Sequence, residues 1–254
     1  FLTYRSNPYG VFDKINMYDD GDHGDGQEGD GVYGISIIAG PADIQYYIYE
    51  GRNSMIPPPS QGFIKPDNYQ AVGLEFFNYF KDLADLDPKH RVLDVGCGSG
   101  RMALPLTKYL SSEAGYSGFD IIKPQIDWAR EHISTRFPNF TFQHVKVIND
   151  IYNKDGELAY NYKFPFEDES FDFVFLTSVF THMLPLDLEN YLEEIQRVLK
   201  YDGKCLITFF LLNEESKDLI LSGQSTIDFK YSIDNCLIED KNAPEEAIAY
   251  EEST

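Results

Sequence analysis

The sequence predicts an α/β fold in which helices flank a doubly wound, mostly parallel sheet. Apolar runs that favour strands alternate with stretches of helical spacing across residues 67–212. The run at 171–177, FDFVFLT, is almost continuously apolar, as expected of a strand covered on both faces. Pro88, Pro124 and Pro138 fall at the predicted helix boundaries, where proline is tolerated. Strands that alternate with helices in this order form a parallel sheet with right-handed crossovers.

Each element of this core, residues 61–212, follows from the spacing of its apolar residues. Phe76, Phe77 and Phe80 lie near one face of a helix that Asp67 can cap. Gly203 is predicted to lie in a turn before the last strand. The predicted strands are 91–95, 116–120, 140–147, 171–177 and 204–211. The predicted helices are 67–86, 100–110, one running from Pro124 to Phe137, and one that carries Leu188 to Leu199.

Residues 1–60 form a Tyr-, Gly- and Asp-rich N-terminal extension, predicted to be partly β or disordered. The acidic stretch 19–31 does not match a calcium loop, so we expect a solvated loop, with loose cation binding as the alternative. A hairpin is predicted over 32–50. The proline-rich stretch 56–60 reads as a linker and places a domain boundary near residue 60.

Residues 213–254 are predicted to be an incomplete C-terminal portion of the fold. A short helix ends near Leu221, and residues 228–238 hold at most one strand. The segment PEEAIAYEE begins like a helix at Pro244. The chain starts with Phe1 rather than Met, so we expect a fragment. The weak signal after Leu212 leads us to expect that this fragment is shortened at its C-terminus.

Composition excludes several classes of function. The formal net charge of −21 repels phosphate backbones, and Lys and Arg are scattered, so no nucleic-acid partner is expected. The three cysteines have neither a pairing framework nor metal-ligand spacing, which favours a reducing, cytoplasmic location and no metal site. No apolar run approaches the roughly 18 residues of a membrane span, so no membrane partner is expected. The oligomeric state is not predicted.

The stretch RVLDVGCGSGRMALPLTKYL, residues 91–110, carries the main functional signal. Gly96, Gly98 and Gly100 follow the first strand, at the sheet edge where parallel α/β folds bind ligands. Glycines let the backbone approach a ligand closely, and the first helical amides can receive an anionic group. Arg101 replaces the third glycine of the dinucleotide fingerprint. Asp120 ends the second strand, where an acid meets a ribose diol, which fits both NAD and S-adenosylmethionine.

Four segments in order resemble the class I S-adenosylmethionine-dependent methyltransferases of the small-molecule branch. They are VLDVGCGSG, GFDI, FPFEDESFDFVFLTSVFTHM and EIQRVLKYDGKCLITFF, within residues 67–212. The resemblance implies a Rossmann-like methyltransferase sheet with S-adenosyl-L-methionine as cofactor. Members usually continue past the fifth strand into an antiparallel pair that completes seven strands, whereas 42 residues remain here after Leu212.

The resemblance also implies site residues. Asp94 and the glycine turn would surround the methionine part, Asp120 the ribose, Ile121 the adenine, and Thr177 the sulfonium. The usual acid after the third strand is replaced by Lys146, so Asn149 or Asp150 would substitute. The predicted cofactor-binding set is Asp94, Gly96, Gly98, Gly100, Asp120, Ile121, Asn149 and Thr177. Structural alternatives are that Asp94 only braces the glycine loop, that Ile121 is ordinary core, and that Cys97 is a small packing residue.

The implied reaction is methyl transfer to a small-molecule acceptor, with a hydroxyl as one candidate. His182 lies beyond the fourth strand and is the candidate base, with a packed or helix-capping histidine as the alternative. The Pro-Pro-aromatic turn of amino-methylating nucleic-acid enzymes is replaced by TSVF. Residues 1–60 are expected to shape the acceptor pocket, with candidate lining residues Phe12, Tyr18, Tyr46 and Tyr47. The rivals are a non-catalytic S-adenosyl-ligand or interaction module and a nicotinamide-dependent oxidoreductase.

Overall fold

The computed structural model describes two parts of the chain, each taken by itself. Residues 1–54 form one compact unit and residues 55–254 the other. Within them the structure describes three N-terminal strands, residues 55–57 and residues 66–252. The predicted boundary near residue 60 stays a prediction. Within the described part of the chain, no helix is long and apolar enough to cross a membrane.

The N-terminal unit contains a three-stranded antiparallel sheet. Its strands are β1 (Leu2–Arg5), β2 (Asp13–Ile15) and β3 (Gln45–Ile48). The order is β2-β1-β3, so β3 pairs with β1, Leu2 lying opposite Ile48. The predicted hairpin over 32–50 lies mostly outside the described residues, as do the acidic stretch 19–31, Phe12 and Tyr18. Tyr46 and Tyr47 lie on β3, and their side chains are outside the description.

The larger unit is built on a five-stranded parallel sheet, which confirms the predicted fold class. Its strands are β4 (Val92–Val95), β5 (Tyr116–Asp120), β6 (Phe140–His144), β9 (Phe171–Leu176) and β10 (Leu199–Ile207). The short strands β7 (Val147–Ile148) and β8 (Glu157–Leu158) pair with each other beside it. The sheet order is β10-β9-β4-β5-β6. Strands β5 and β6 follow β4 on one side, and β9 and β10 lie on its other side. The direction of strand addition therefore reverses at β4, which leaves a crevice at its carboxyl end.

Helices cover both faces of this sheet. They are α1 (Pro66–Ala84), α2 (Ala103–Leu106), α3 (Lys123–Ala129), which continues as a π-helical turn at Arg130–Ser134, and α4 (Pro185–Val198). Alternate residues of β9 enter two separate apolar clusters: Phe173 and Phe175 pack with α1, α2 and α3, whereas Val174 and Leu176 pack with α4. Because both faces are covered, the strand reads as one apolar run.

Several core elements differ from the predicted bounds. The strand predicted over 140–147 ends at His144, and Val147–Ile148 forms the separate strand β7. Helix α2 spans four residues rather than 100–110: Pro105 has no N–H for the carbonyl of Arg101, and beyond Leu106 the amides of Lys108 and Tyr109 bond only three residues back. Strand β10 begins at Leu199 and runs through Gly203 without a turn. The register with β9 shifts between Leu199 and Lys204, so the extra residues are absorbed as a strand irregularity.

The C-terminal segment forms a second sheet, which corrects two expectations. Its elements are β11 (Phe210–Leu212), α5 (Glu214–Leu221), β12 (Tyr231–Ile233), β13 (Cys236–Ile238), a 3₁₀ turn at Pro244–Glu246, and β14 (Ile248–Glu251). Two strands joined at Asp234, with φ +47°, replace the single strand expected in 228–238. The segment that begins like a helix becomes β14, since it pairs with both β11 and β13 and buries Ile248 and Tyr250.

Candidate functional site

The glycine turn after β4 is fixed by its own backbone and by packing from behind. Gly96, Gly98 and Gly100 have φ of +77°, +53° and +87°, which favour glycine. A Cβ on each would lie less than 3.0 Å from Val179, Gln125 or Ile133 respectively. These glycines are therefore required by conformation and by packing, independently of any ligand.

Asp120 joins the end of β5 to this turn. Its Oδ2 accepts a hydrogen bond from the Gly98 amide at 2.8 Å, and its Oδ1 accepts one from the Ile122 amide at 2.8 Å. Burial raises the pKa of Asp120, and the backbone N–H groups oppose that rise. Each carboxylate oxygen keeps a further lone pair, so the group can accept from a diol without giving up the turn.

Asp94 is 1% exposed and lies at the centre of the site. Its Oδ2 accepts a 2.6 Å hydrogen bond from the Tyr116 hydroxyl, whereas its buried Oδ1 has no hydrogen-bond partner among the described residues. Burial raises the pKa of Asp94 to about 7. A buried oxygen without a donor is costly, so this position fits a ligand that brings an N–H group.

Two adjoining cavities, of about 340 and 150 Å³, share Gly96, Arg101 and Asp120 in their walls. Asp94, Gly98 and Thr177 are predicted site residues that line only the smaller cavity. The predicted site residues that line only the larger one are Ile121, Asn149 and His182. Gly100 lines neither cavity and serves the packing of the turn. The structure thus brings seven of the eight predicted cofactor-binding residues, and His182, to two adjoining cavities.

Arg101 and Tyr69 are site residues that the sequence analysis missed. Arg101 is the only Lys or Arg among the described residues that line the two cavities, and burial lowers its pKa. Tyr69 reaches the smaller cavity from α1, where its hydroxyl lies 3.1 Å from the Ser99 hydroxyl. Arg101 follows the glycine turn directly, a signal that was interpreted only as a missing glycine. Tyr69 gives no local signal, because it lies on α1 and is 30 residues away in sequence from Ser99, its partner in the glycine turn.

The far end of the larger cavity is assembled from three loops. His182 Nδ1 lies 3.0 Å from the main-chain carbonyl of Glu245. A carbonyl only accepts, so Nδ1 carries the proton and donates, which leaves the Nε2 lone pair free in the neutral ring. Glu245 Oε2 accepts a hydrogen bond from the Asp150 amide, and burial raises the pKa of Glu245 to about 7.

Both polar atoms of the Asn149 side chain form hydrogen bonds with the main chain of the protein. Its Nδ2 donates to the His182 carbonyl at 3.3 Å, and its Oδ1 accepts from the Ile151 and Tyr152 amides at 3.1 Å each. Lys146, at the position where the family has an acid, pairs with Asp155 on the surface. An adenine-binding role for Asn149 stays a prediction, and its observed contacts brace the loop.

Comparison with known proteins places this geometry in a family. The profile described as "Methyltransferase domain" matches residues 93–207. The rat arsenite methyltransferase is 29% identical over 121 residues, which cover 46% of this chain and 31% of that protein. The uncharacterized methyltransferase YcgJ of Bacillus subtilis is 28% identical over 124 residues, covering 49% of this chain and 42% of that protein. The alignments therefore span less than half the length of these relatives.

A solved structure supports the fold. The crystal structure of the PH0226 protein from Pyrococcus horikoshii OT3 matches with a TM-score of 0.51 at 23% identity. The match covers 73% of this chain and 77% of that one.

The residues present fit the cofactor of this family. S-adenosylmethionine carries an ammonium group, a carboxylate and a ribose diol, and the two cavities offer the donor-free Asp94 Oδ1, the Arg101 guanidinium and the Asp120 carboxylate. Residues 93–207 form a class I S-adenosylmethionine-dependent methyltransferase domain.

Proposed function

We propose that this protein transfers the methyl group of S-adenosylmethionine to a small-molecule acceptor by in-line displacement. The observation that carries the proposal is the pair of adjoining cavities, a smaller one at the glycine turn and a larger one that shares Gly96, Arg101 and Asp120 with it. The cofactor supplies an activated methyl group on a sulfonium whose thioether is a good leaving group. The work left to the protein is to align the acceptor and to exclude water.

The proposed cofactor contacts follow from the chemistry of each group. Asp94 Oδ1 would accept from the ammonium of the methionine part, and Arg101 would bind its carboxylate. Asp120 would accept from the ribose hydroxyls while it holds the Gly98 amide. Ile121 and Thr177 line the cavities where adenine and the sulfonium are expected.

We propose His182 as the base for a hydroxyl acceptor. The Glu245 carbonyl fixes the proton on Nδ1, so Nε2 is the nitrogen able to take a proton from the acceptor. A hydroxyl is one candidate acceptor, and the sequence does not name the acceptor. The alignments cover only 31% of the arsenite methyltransferase, so its named substrate does not extend to this chain.

The rival function is a module that binds an S-adenosyl ligand without catalysis. Both functions need the smaller cavity and the part of the larger one at Ile121, but only the enzyme needs room for a second ligand. The enzyme is supported by the further lining of the larger cavity at His182, Asp187 and Glu245. A cytoplasmic location stays a prediction from cysteine usage.

The test has two stages. Calorimetric titration with S-adenosylhomocysteine and with NAD should show micromolar binding of the first and none of the second. Methyl-labelled S-adenosylmethionine is then incubated with a small-molecule extract, and labelled products are separated. Tight NAD binding would overturn the cofactor assignment, and a bound but never transferred label would favour the binding module.

A further inference from the structure

Two buried carboxylates in the larger cavity have no part in the proposed function. Asp187 and Glu245 both line it, and each is 8% exposed. Asp120, equally buried, is accounted for by the ribose. Asp187 comes from the first turn of α4 and Glu245 from the 3₁₀ turn before β14, so distant parts of the chain bring two acids to one cavity.

Among the described residues that line the larger cavity, no Lys or Arg pairs with these two acids. Burial is the main cause that raises the pKa of Glu245, and the nearby charges of Asp150 and Asp187 raise it further. Arg101, the only Lys or Arg among the described lining residues, interacts with Tyr69 and Asp94 of the smaller cavity. The far end of the larger cavity thus holds excess negative charge, which is costly to bury without a positive partner.

One of these carboxylate oxygens is free to bind. Glu245 Oε2 accepts from the Asp150 amide, whereas Oε1 has no hydrogen-bond partner among the residues that the structure describes. The side chain is more than nine-tenths buried and lines the cavity, so this oxygen is available to a ligand there. Tyr152 and Tyr191 line the same cavity, and tyrosine rings attract cations.

We propose that the methyl acceptor is an amine, bound as its ammonium form by Glu245 with Asp187 beside it. This inference rests on the proposed function and names its substrate class. The bound ammonium gives one proton to the Glu245 carboxylate, which frees the nitrogen lone pair. That lone pair forms the new N–C bond to the methyl carbon as the C–S bond breaks, and its electrons stay on sulfur. The products are the methylated ammonium and S-adenosylhomocysteine, and Glu245 later releases its proton to water.

A role for Glu245 as proton acceptor agrees with its electrostatics. Burial raises its pKa to about 7, so at neutral pH it can both bind an ammonium and take its proton. With an amine acceptor the proton goes to Glu245, and His182 contributes through the contact of its Nδ1 with the Glu245 carbonyl. The base role of His182 applies only to a hydroxyl acceptor.

The test uses matched probes on the protein saturated with S-adenosylhomocysteine. Benzylamine is compared with benzyl alcohol, and phenethylamine with 2-phenylethanol, by calorimetry at pH 7.5. We expect at least one amine to bind about tenfold or more tightly than its alcohol. Glu245→Gln, whose amide oxygen can still accept from the Asp150 amide, should remove that preference. The control Glu246→Gln, an exposed neighbour, should retain it. Alcohols that bind as tightly as the amines, or an absence of amine binding to the liganded protein, would overturn the inference.

A second measurement separates this inference from two other outcomes. If Glu245 instead neutralises the cofactor sulfonium, Glu245→Gln should weaken S-adenosylmethionine relative to S-adenosylhomocysteine by about tenfold, which would overturn the amine assignment. We expect an unchanged ratio. If the unaltered protein does not bind S-adenosylhomocysteine, the proposed function itself fails. Should Glu245→Gln not fold, Asp187→Asn provides the same comparison, with a smaller expected loss of about threefold to tenfold.

Discussion

The two ends of the site are built in different ways. The cofactor end comes from the glycine turn and the end of β5, where Asp120 accepts from the Gly98 amide only 22 residues away in sequence. The acceptor end depends on contacts across the whole domain: Glu245 bonds the amide of Asp150, 95 residues away, and its carbonyl pairs with His182, 63 residues away. The first is a property of strand ends in a parallel sheet, whereas the second exists only when the C-terminal sheet folds onto the core.

The C-terminal sheet therefore belongs to the site. Besides the contacts of Glu245, the Tyr250 hydroxyl on β14 donates to the carbonyl of Met183, which follows His182. Both β14 and the turn before it hold the loop after β9. The segment expected to be an incomplete end supplies Glu245 to one wall of the larger cavity.

The largest expected effect concerns the cofactor end. Asp120→Ala removes the ribose acceptor and the bond to the Gly98 amide, so we expect S-adenosylhomocysteine affinity to fall by about a thousandfold or more. Calorimetry measures the loss. Asp127→Ala removes an exposed acid on α3 that pairs with Lys123 and is the control. Unchanged affinity in Asp120→Ala would show that the ribose binds elsewhere. The end of β5 would then no longer be part of the cofactor site.

The next effect tests whether the glycine turn is set by the protein itself. Gly96→Ala adds a Cβ at positive φ against Val179, which we expect to cost about 3 kcal/mol of unfolding free energy. Gly223→Ala has a similar φ of +70° but open space around it, so it should cost only about 1 kcal/mol. Urea unfolding measures both. Equal losses would show that packing from behind contributes nothing at Gly96.

Arg101 lines both cavities, so its substitution tests which of the two ligands it binds. Arg101→Gln should weaken S-adenosylhomocysteine by about thirtyfold, near 2 kcal/mol, because a charge-assisted bond to the carboxylate is lost. Lys108→Gln, an exposed change, is the matched control. If Arg101→Gln instead spares the cofactor and impairs turnover alone, the guanidinium belongs to the acceptor end.

The smallest effect concerns the buried charge of the acceptor end. The pKa of Glu245 is about 7 in the folded protein and near 4.5 when unfolded, so the folded state binds the proton more tightly. Stability therefore falls as pH rises from about 4.5 to above 7. Glu245→Gln should be more stable than the unaltered protein by about 1 kcal/mol at pH 8, and the difference should shrink toward pH 4.5. Denaturant unfolding at both pH values checks it. A stability difference that does not vary with pH would contradict the raised pKa of Glu245 in the folded protein.

The glycine turn and the strand ends around the smaller cavity could be predicted because their signals are local. The apolar run of β9, the alternation of strands and helices, and Asp94 and Asp120 at strand ends are all visible within short windows. The acceptor end was missed because Asp187 reads as a helix N-terminal acid and Glu245 as the start of a helix. Their meeting depends on the pairing of β14 with β11 and β13, across about 40 and 12 residues of chain, which no local pattern encodes.

The contact between Val179 and Gly96 has a consequence for how two ligands share this protein. Val179 lies against Gly96, lines the larger cavity and belongs to the loop that carries His182. A ligand that shifts the glycine turn is therefore expected to shift Val179 as well. The occupancies should therefore be thermodynamically linked, each ligand changing the dissociation constant of the other by the same factor.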